Sequence, residues 1–166
     1  MSLRRLLPVV ISLAVIVGGL VILREPAQTA IQMAVLSGVK AAPDADHKVA
    51  IQVNQNDKAV MELALNNAKN IIDFYKSRGE TVAVEIVTYG PGLHMLRRDT
   101  SPVKERIATM SLENPNLTFA ACGNTQANQS KAENKPIVLV DEAKIARSGV
   151  VRLMELQRRG YANIRP

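Results

Sequence analysis

The stretch Leu117-Thr-Phe-Ala-Ala-Cys-Gly-Asn-Thr125 has the pattern of a strand that leads directly into a helix. Its apolar half ends on Cys122, and small residues and residues that favour helix N-termini follow at once. In open α/β sheets, ligand sites lie at the carboxyl ends of the parallel strands. The stretch therefore predicts that Cys122 lies at the carboxyl end of a strand and beside a helix N-terminus.

Cys122 is the only cysteine in the chain, which excludes an intramolecular disulfide. The pattern around it leaves two roles open. Unpaired N–H groups and the positive end of a helix dipole favour an anion, so a thiol placed there ionises more easily and becomes a nucleophile. Free cysteine is also among the most frequently buried residue types, and Cys122 is then a small core residue.

Upstream of this stretch, the sequence predicts a strand, a long helix and a second strand. Val49–Val53 is rich in β-branched residues, and Thr81–Thr88 has the same character. The helix between them ends near Arg78, and Gly79 follows it as a residue in the left-handed region. Its predicted apolar face consists of Val60, Leu63, Ala64, Ala68, Ile71, Ile72 and Tyr75. This βαβ unit predicts parallel strands with a right-handed crossover.

A glycine turn, Tyr89-Gly-Pro-Gly-Leu93, follows the second strand and is expected at the same end of the sheet as Cys122. It does not fit the dinucleotide-binding pattern, because the third glycine position falls on Met95. We expect Gly90 and Gly92 to let a substrate approach closely. His94, just after the turn, is a candidate site residue, and packing is its alternative role.

Downstream, the sequence alternates between short helices and short strands. Ser101-Pro102 is expected to begin a helix with Val103, Ile107 and Met110 on its inner face. A polar helix is expected from about Asn124 to Glu133. Ile137–Val140 and Lys144–Ala146 are each candidates for a short strand.

The last helix is expected to be capped by Ser148-Gly149 and to end at Gly160, before a short strand at Tyr161–Ile164. The residues predicted to face inward on this helix are Val150, Leu153, Met154 and Gln157. The basic residues at this end of the chain are interpreted as a solvated face, and they are Arg147, Arg152, Arg158, Arg159 and Arg165.

The first 23 residues have the pattern of a membrane anchor or a signal peptide. Leu6–Leu23 has no charge over 18 residues and follows Arg4 and Arg5. As a helix it is about 27 Å long, close to the ~30 Å hydrocarbon core of a bilayer. No cleavage site is convincing, which favours an anchor that places the rest of the chain outside the cytoplasm, on the periplasmic side. Residues 24–47 have the composition of a linker, and residues 48–166 form the predicted domain.

Composition and charge exclude other classes of function. Residues 1–43 contribute +3 of the net charge of +6, so the folded part is too weakly basic for a nucleic-acid interface. Aromatic residues make up 3% of the chain and tryptophan is absent, which leaves few side chains to stack on bases. With one cysteine and two histidines, one of them in the linker, the sequence predicts no metal and no cofactor.

Several motifs of the domain occur together in one known family. They are Ala121-Cys-Gly-Asn-Thr125, Tyr89-Gly-Pro-Gly-Leu93, Ser148-Gly-Val-Val-Arg-Leu153, Leu156-Gln157 and Gly160-Tyr161. Because it contains all of these motifs, the chain from about Lys48 to Pro166 resembles the DsrE/DsrF-like sulfur-relay family. The resemblance implies a three-layer α/β/α fold with a mostly parallel sheet of about five strands, and assembly into trimers or hexamers.

The resemblance also implies a sulfurtransferase-like function. Cys122 would accept sulfane sulfur as a persulfide from a donor protein or a small sulfur compound, and would pass it to an acceptor. Gly123, Asn124 and Thr125 would then supply N–H groups to the thiolate or persulfide. The alternative is a non-enzymatic, extracytoplasmic binding or assembly module that has the same fold and a chemically idle cysteine.

Overall fold

A computed structural model describes residues 45–166 of the chain. The elements, in chain order, are β1 (His47–Val53), α1 (Lys58–Ser77), β2 (Val82–Thr88), a 3-10 helix (Gly90–Leu96), α2 (Lys104–Glu113), β3 (Leu117–Cys122), α3 (Gly123–Ala132), β4 (Ala143–Ala146), α4 (Gly149–Arg158) and β5 (Ala162–Ile164). The predicted anchor at Leu6–Leu23 and nearly all of the predicted linker lie outside the described residues. Within residues 45–166, no helix has the length and apolar character needed to cross a membrane.

The five strands form one sheet in the order β4-β3-β2-β1-β5, and every pairing between them is parallel. The α/β class and the parallel five-stranded sheet are therefore confirmed. The register aligns Val53 of β1 with Thr88 of β2, and Thr88 with Ala121 of β3. Cys122 thus lies at the carboxyl edge of the sheet, one residue beyond this row.

Two apolar cores lie on opposite faces of the sheet. The larger core is formed by α1, α2, the 3-10 helix and the strand residues that face them, and it includes Ile51, Met61, Leu65, Ile86, Phe119 and Ile107. The smaller core lies under α4, where the strands present mainly alanines. Because alanine side chains are short, Leu153 and Leu156 of α4 pack close to the sheet.

The ends of two helices show how local residues set the boundaries. Asp57 caps α1 by accepting a hydrogen bond from the N–H of Ala59 at 2.7 Å, and Gly79 adopts the positive φ (73°) that we expected after this helix. The predicted start of α2 at Ser101 is wrong. The Ser101 hydroxyl donates to the carbonyl of Met95 and accepts from the N–H of Val103, which holds residues 101–103 in a turn.

The predicted inner face of α2 is confirmed, and that of α1 is confirmed except at Leu63, which is exposed. Met61 and Leu65, which were not predicted, are also buried in α1. In α4, Leu153 is buried as predicted, but the other predicted inward residues, Val150, Met154 and Gln157, are exposed, whereas Arg152 and Leu156 face the sheet. A buried arginine was not considered as part of an inner face, so most of the predicted face of α4 was wrong.

Of the two candidate strands between residues 136 and 147, only the second forms, as β4. In the first, Leu139 makes an isolated antiparallel bridge with Arg97. His47, which we assigned to the linker, belongs to β1, where its Nε2 lies 2.5 Å from Glu80 Oε2 and its ring stacks on Tyr75.

Candidate functional site

Cys122 lies where two helices begin. It is the last residue of β3 and the N-cap of α3, so the predicted strand end and helix start are both observed. The first residue of α4, Gly149, lies on its other side: a Cβ atom at this position would be 3.3 Å from the Cβ of Cys122 and 2.9 Å from that of Tyr89. Glycine thus allows the N-terminus of α4 to approach the cysteine.

The surroundings of the Cys122 thiol favour its ionised form. The residue is 5% exposed, and this burial is the largest single influence and raises the pKa of the thiol. The Thr125 side chain and the N–H groups of Gly149, Thr125 and Asn124 act against it. Their combined effect exceeds that of burial, so the pKa of Cys122 is lower than the ordinary value of a cysteine.

Thr125 connects the cysteine to the glycine turn. Its Oγ1 accepts a hydrogen bond from the N–H of Gly90 at 3.0 Å, so the hydroxyl proton remains available to the sulfur. Gly90 has φ +54°, a conformation that side chains other than glycine rarely adopt. The structure thus places Gly90, Gly123, Asn124 and Thr125 around Cys122.

Gly92 is not placed at the site in the same way. A Cβ atom at this position would lie 2.2 Å from the carbonyl oxygen of Val53, so the backbone of β1 fills the space that glycine leaves. Close packing against β1 explains this glycine, and the expectation that Gly92 admits a substrate has no support here.

The hydrogen bond of His94 is made to Thr100 and not to the cysteine. The Nδ1 atom of His94 lies 2.8 Å from Thr100 Oγ1 and is therefore engaged with the loop after the 3-10 helix. Burial, followed by the neighbouring Arg97 cation, lowers the pKa of His94, so the imidazole is neutral at pH 7.

A cluster around Arg97 was missed by the sequence analysis. The Arg97 side chain is 1% exposed and donates hydrogen bonds to Asp99, Gln129 and Glu133. Lys135 also binds Asp99, with its Nζ 3.0 Å from Oδ2. The Arg97 guanidinium holds the pKa of Glu133 at about 2 and the pKa of Asp99 well below its usual range.

A second buried arginine was misassigned. Arg152 was interpreted as part of a solvated basic face, but its Nε and Nη2 donate to the two carboxylate oxygens of Glu85 at 2.6 and 2.7 Å. Both side chains are less than a tenth exposed. Glu85 lies within the apolar strand β2, and this unmatched acidic residue was the only signal in the sequence that a buried cation partner was required.

Between residues 45 and 166, no group of three or more histidine, cysteine, aspartate or glutamate side chains is arranged to hold a metal ion. The arrangement at Cys122 is instead suited to a nucleophilic sulfur. Two helix N-termini and a hydroxyl surround one thiol, and such groups stabilise a negative charge on it.

No protein-family model and no curated protein matches this chain. Among solved structures, it is similar to a protein of unknown function from Methanobacterium thermoautotrophicum, with 26% sequence identity and a TM-score of 0.60. The match covers 73% of this chain and 100% of the other. This similarity supports the α/β fold. It gives no information about activity, because the function of that protein is unknown.

Proposed function

We propose that the protein is a sulfur carrier of the DsrE/DsrF-like kind, which binds sulfane sulfur as a persulfide on Cys122 and passes it to a partner. The observation that supports this most directly is the position of Cys122 at the N-terminus of α3 and beside Gly149, the first residue of α4. A persulfide is an anion at neutral pH, and helix N-termini stabilise an anion.

The proposed loading step is a displacement at sulfur. The Cys122 thiolate attacks the outer sulfur of a persulfide or polysulfide donor, a new S–S bond forms on Cys122, and the donor's S–S bond breaks so that a thiolate leaves. In unloading, the thiolate of an acceptor attacks the outer sulfur and Cys122 leaves as the thiolate. The sulfur atom is transferred without net oxidation, and a lowered thiol pKa favours Cys122 both as nucleophile at neutral pH and as leaving group.

The location and assembly of the carrier are part of this proposal and rest on the sequence. The uncharged segment Leu6–Leu23, preceded by Arg4 and Arg5, supports an N-terminal apolar helix that anchors the domain on the outer side of the membrane. The motifs shared with the DsrE/DsrF-like family support a trimer or hexamer. The donor and the acceptor are sulfur compounds or proteins that carry them.

One observation favours the alternative of a binding or assembly module. Cys122 is 5% exposed, and a sulfur donor cannot reach a thiol that remains covered. However, α3 begins directly after Cys122 and has no buried residue. We therefore expect small displacements of α3 to admit a donor, and an idle cysteine remains the second candidate.

The test is to incubate the purified full-length protein with polysulfide or thiosulfate and to determine the mass of the peptide that contains Cys122. A carrier gains the mass of one or more sulfur atoms, releases them to a reducing thiol, and loses this behaviour in Cys122→Ser. Iodoacetamide should also label the native thiol with a lower pH midpoint than in urea-denatured protein. If no sulfur is bound and labelling is no faster than global unfolding, the cysteine is idle and the proposal is wrong.

A further inference from the structure

The attachment of α3 to the rest of the domain is polar throughout. No residue of this helix is buried. Its side-chain hydrogen bonds come from Thr125 and Gln129, together with Glu133 just after its last residue, and these three are spaced four residues apart and therefore share one face. Gln126 and Ser130 also bind the backbone of Ile137. A helix held in this way depends on the groups that bind its polar side chains.

Gln129 and Glu133 converge on Arg97. The Arg97 Nη1 atom donates to Gln129 Oε1 at 3.2 Å, and both terminal nitrogens donate to the carboxylate of Glu133. Gln129 in turn donates to the carbonyl of Gly90, whose N–H binds Thr125. A continuous chain of hydrogen bonds thus runs from Arg97 through α3 and the glycine turn to the hydroxyl beside Cys122.

We infer that Arg97 is a positioning residue for Cys122, which holds α3 through Gln129 and Glu133 so that Thr125 and the first N–H groups of the helix remain beside the thiol. The inference rests on the proposed function, since it assigns Arg97 a part in preparing the same sulfur atom. Arg97 does not touch the reacting atoms and acts only through α3.

The guanidinium group is suited to this task. It presents five donors in a planar fork, and Arg97 uses them on Asp99, Glu133 and Gln129 at once. A lysine at this position offers three donors from one nitrogen and cannot bind both carboxylates in the bidentate manner. In Arg97→Lys, the lysine should therefore hold α3 in place less well than the arginine does, but better than a side chain with no donor would.

The test measures the pH midpoint of Cys122 alkylation in Arg97→Met and in the matched control Arg98→Met. Both variants lose one positive charge, but Arg98 is exposed and binds only Asp141, a surface residue. We expect the midpoint to rise by about one pH unit in Arg97→Met, which is about tenfold less thiolate at neutral pH. Arg98→Met should leave it unchanged, and Arg97→Lys should give an intermediate value.

A second variant separates positioning from a direct effect of charge, and it also serves if Arg97→Met does not fold. Glu133→Met removes an anion and leaves the Arg97 cation in place. An electrostatic effect alone would then lower the alkylation midpoint, because the net charge near the thiol becomes more positive. Loss of positioning raises the midpoint instead, and we expect a rise that is smaller than in Arg97→Met.

Two outcomes overturn the inference: an unchanged midpoint in a folded Arg97→Met protein, or a lowered midpoint in Glu133→Met. Sulfur loading of the unmodified protein is measured in parallel and reports on the proposed function alone. If loading occurs and the midpoints do not move, the role of Arg97 is wrong and the carrier stands. If the midpoints move as expected and no sulfur is loaded, the carrier is wrong and Arg97 still positions the thiol.

Discussion

Two helices begin beside Cys122, and they are attached to the sheet in opposite ways. Helix α4 buries Leu153 and Leu156 against the alanines of the strands and adds a buried ion pair between Arg152 and Glu85. Helix α3 buries no residue and is held by hydrogen bonds of its polar side chains and by the N–H of Asn124, which donates to the carbonyl of Arg147. The cysteine therefore lies between two walls: the α4 wall, which is part of an apolar core, and the α3 wall, which is not.

The difference has a consequence for reactivity. Elements with few buried apolar contacts open at a lower free energy than the core, so local opening at Cys122 should occur on the α3 side. The α4 wall then keeps the Gly149 N–H beside the sulfur while the other wall moves. A buried thiol with one movable wall can be protected at rest and still react, which is what a persulfide carrier requires.

The largest expected effect comes from breaking the ion pair under α4. Arg152→Met leaves the Glu85 carboxylate buried without a partner, and the free energy of unfolding should fall by about 3–5 kcal/mol. Urea unfolding followed by circular dichroism measures this loss. Arg158→Met, an exposed position on the same helix, is the matched control and should change stability by less than about 0.5 kcal/mol.

The double variant Arg152→Met/Glu85→Leu tests the cause of that loss. With both charges replaced by apolar side chains, stability should return to within about 1–2 kcal/mol of the unmodified protein. A double variant as unstable as Arg152→Met would mean that packing of the arginine stem, and not the unpaired carboxylate, fixes α4.

The same two helices show which parts of the site the sequence could predict. Cys122 and the start of α3 follow from a local pattern, an apolar run followed by small and capping residues, and the structure has both. The prediction of which face of α4 packs against the sheet was largely wrong, because the burial of Arg152 depends on Glu85, which lies 67 residues away in the sequence. The attachment of α3 could not be predicted from an apolar periodicity, since its contacts are made by polar side chains, among them Thr125, Gln126 and Gln129.

The role of Arg97 was not predictable for the same reason. An arginine is ordinarily exposed, and nothing in its neighbours along the chain indicates burial. Its buried guanidinium binds three partners that the fold brings together: Asp99 from its own loop, Gln129 from α3, and Glu133 from the end of that helix. Local patterns thus predicted where the thiol lies, whereas the long-range polar contacts that surround it required the structure.

An intermediate effect is expected from adding one methyl group at the start of α4. In Gly149→Ala, the new Cβ lies 2.9 Å from the Cβ of Tyr89, an atom that moves only with its backbone. We expect a loss of about 1–3 kcal/mol in unfolding free energy, typical of overpacking, and a higher alkylation midpoint as α4 moves away from the thiol.

Gly123→Ala is the matched control on α3. Its Cβ lies 3.1 Å from the Cγ2 methyl group of Ile145, a side chain that is 55% exposed and can rotate away. Stability should therefore be unchanged or slightly higher, because alanine reduces the entropy of the unfolded chain. Equal losses at the two positions would show that both walls are equally rigid and would remove the contrast between the helices.

The smallest effect on global stability, and the most local one, is the loosening of α3 by acid. Arg97 holds the pKa of Glu133 at about 2, compared with an ordinary value of 4.5, and it also lowers the pKa of Asp99. Carboxylates whose pKa is lowered in the folded state stabilise it at pH values above their unfolded pKa, and they lose this contribution as the pH falls through the folded value. Between about pH 4.5 and pH 2, amide hydrogen exchange in α3 should therefore accelerate, after correction for intrinsic rates, before exchange in α4 does.

The control for this prediction is the Arg97→Met variant, in which the amides of α3 should already exchange fast at pH 7 and should respond little to acid. If α3 and α4 lose protection together at one pH, the carboxylates stabilise the fold as a whole and the polar wall of the cysteine site has no separate stability.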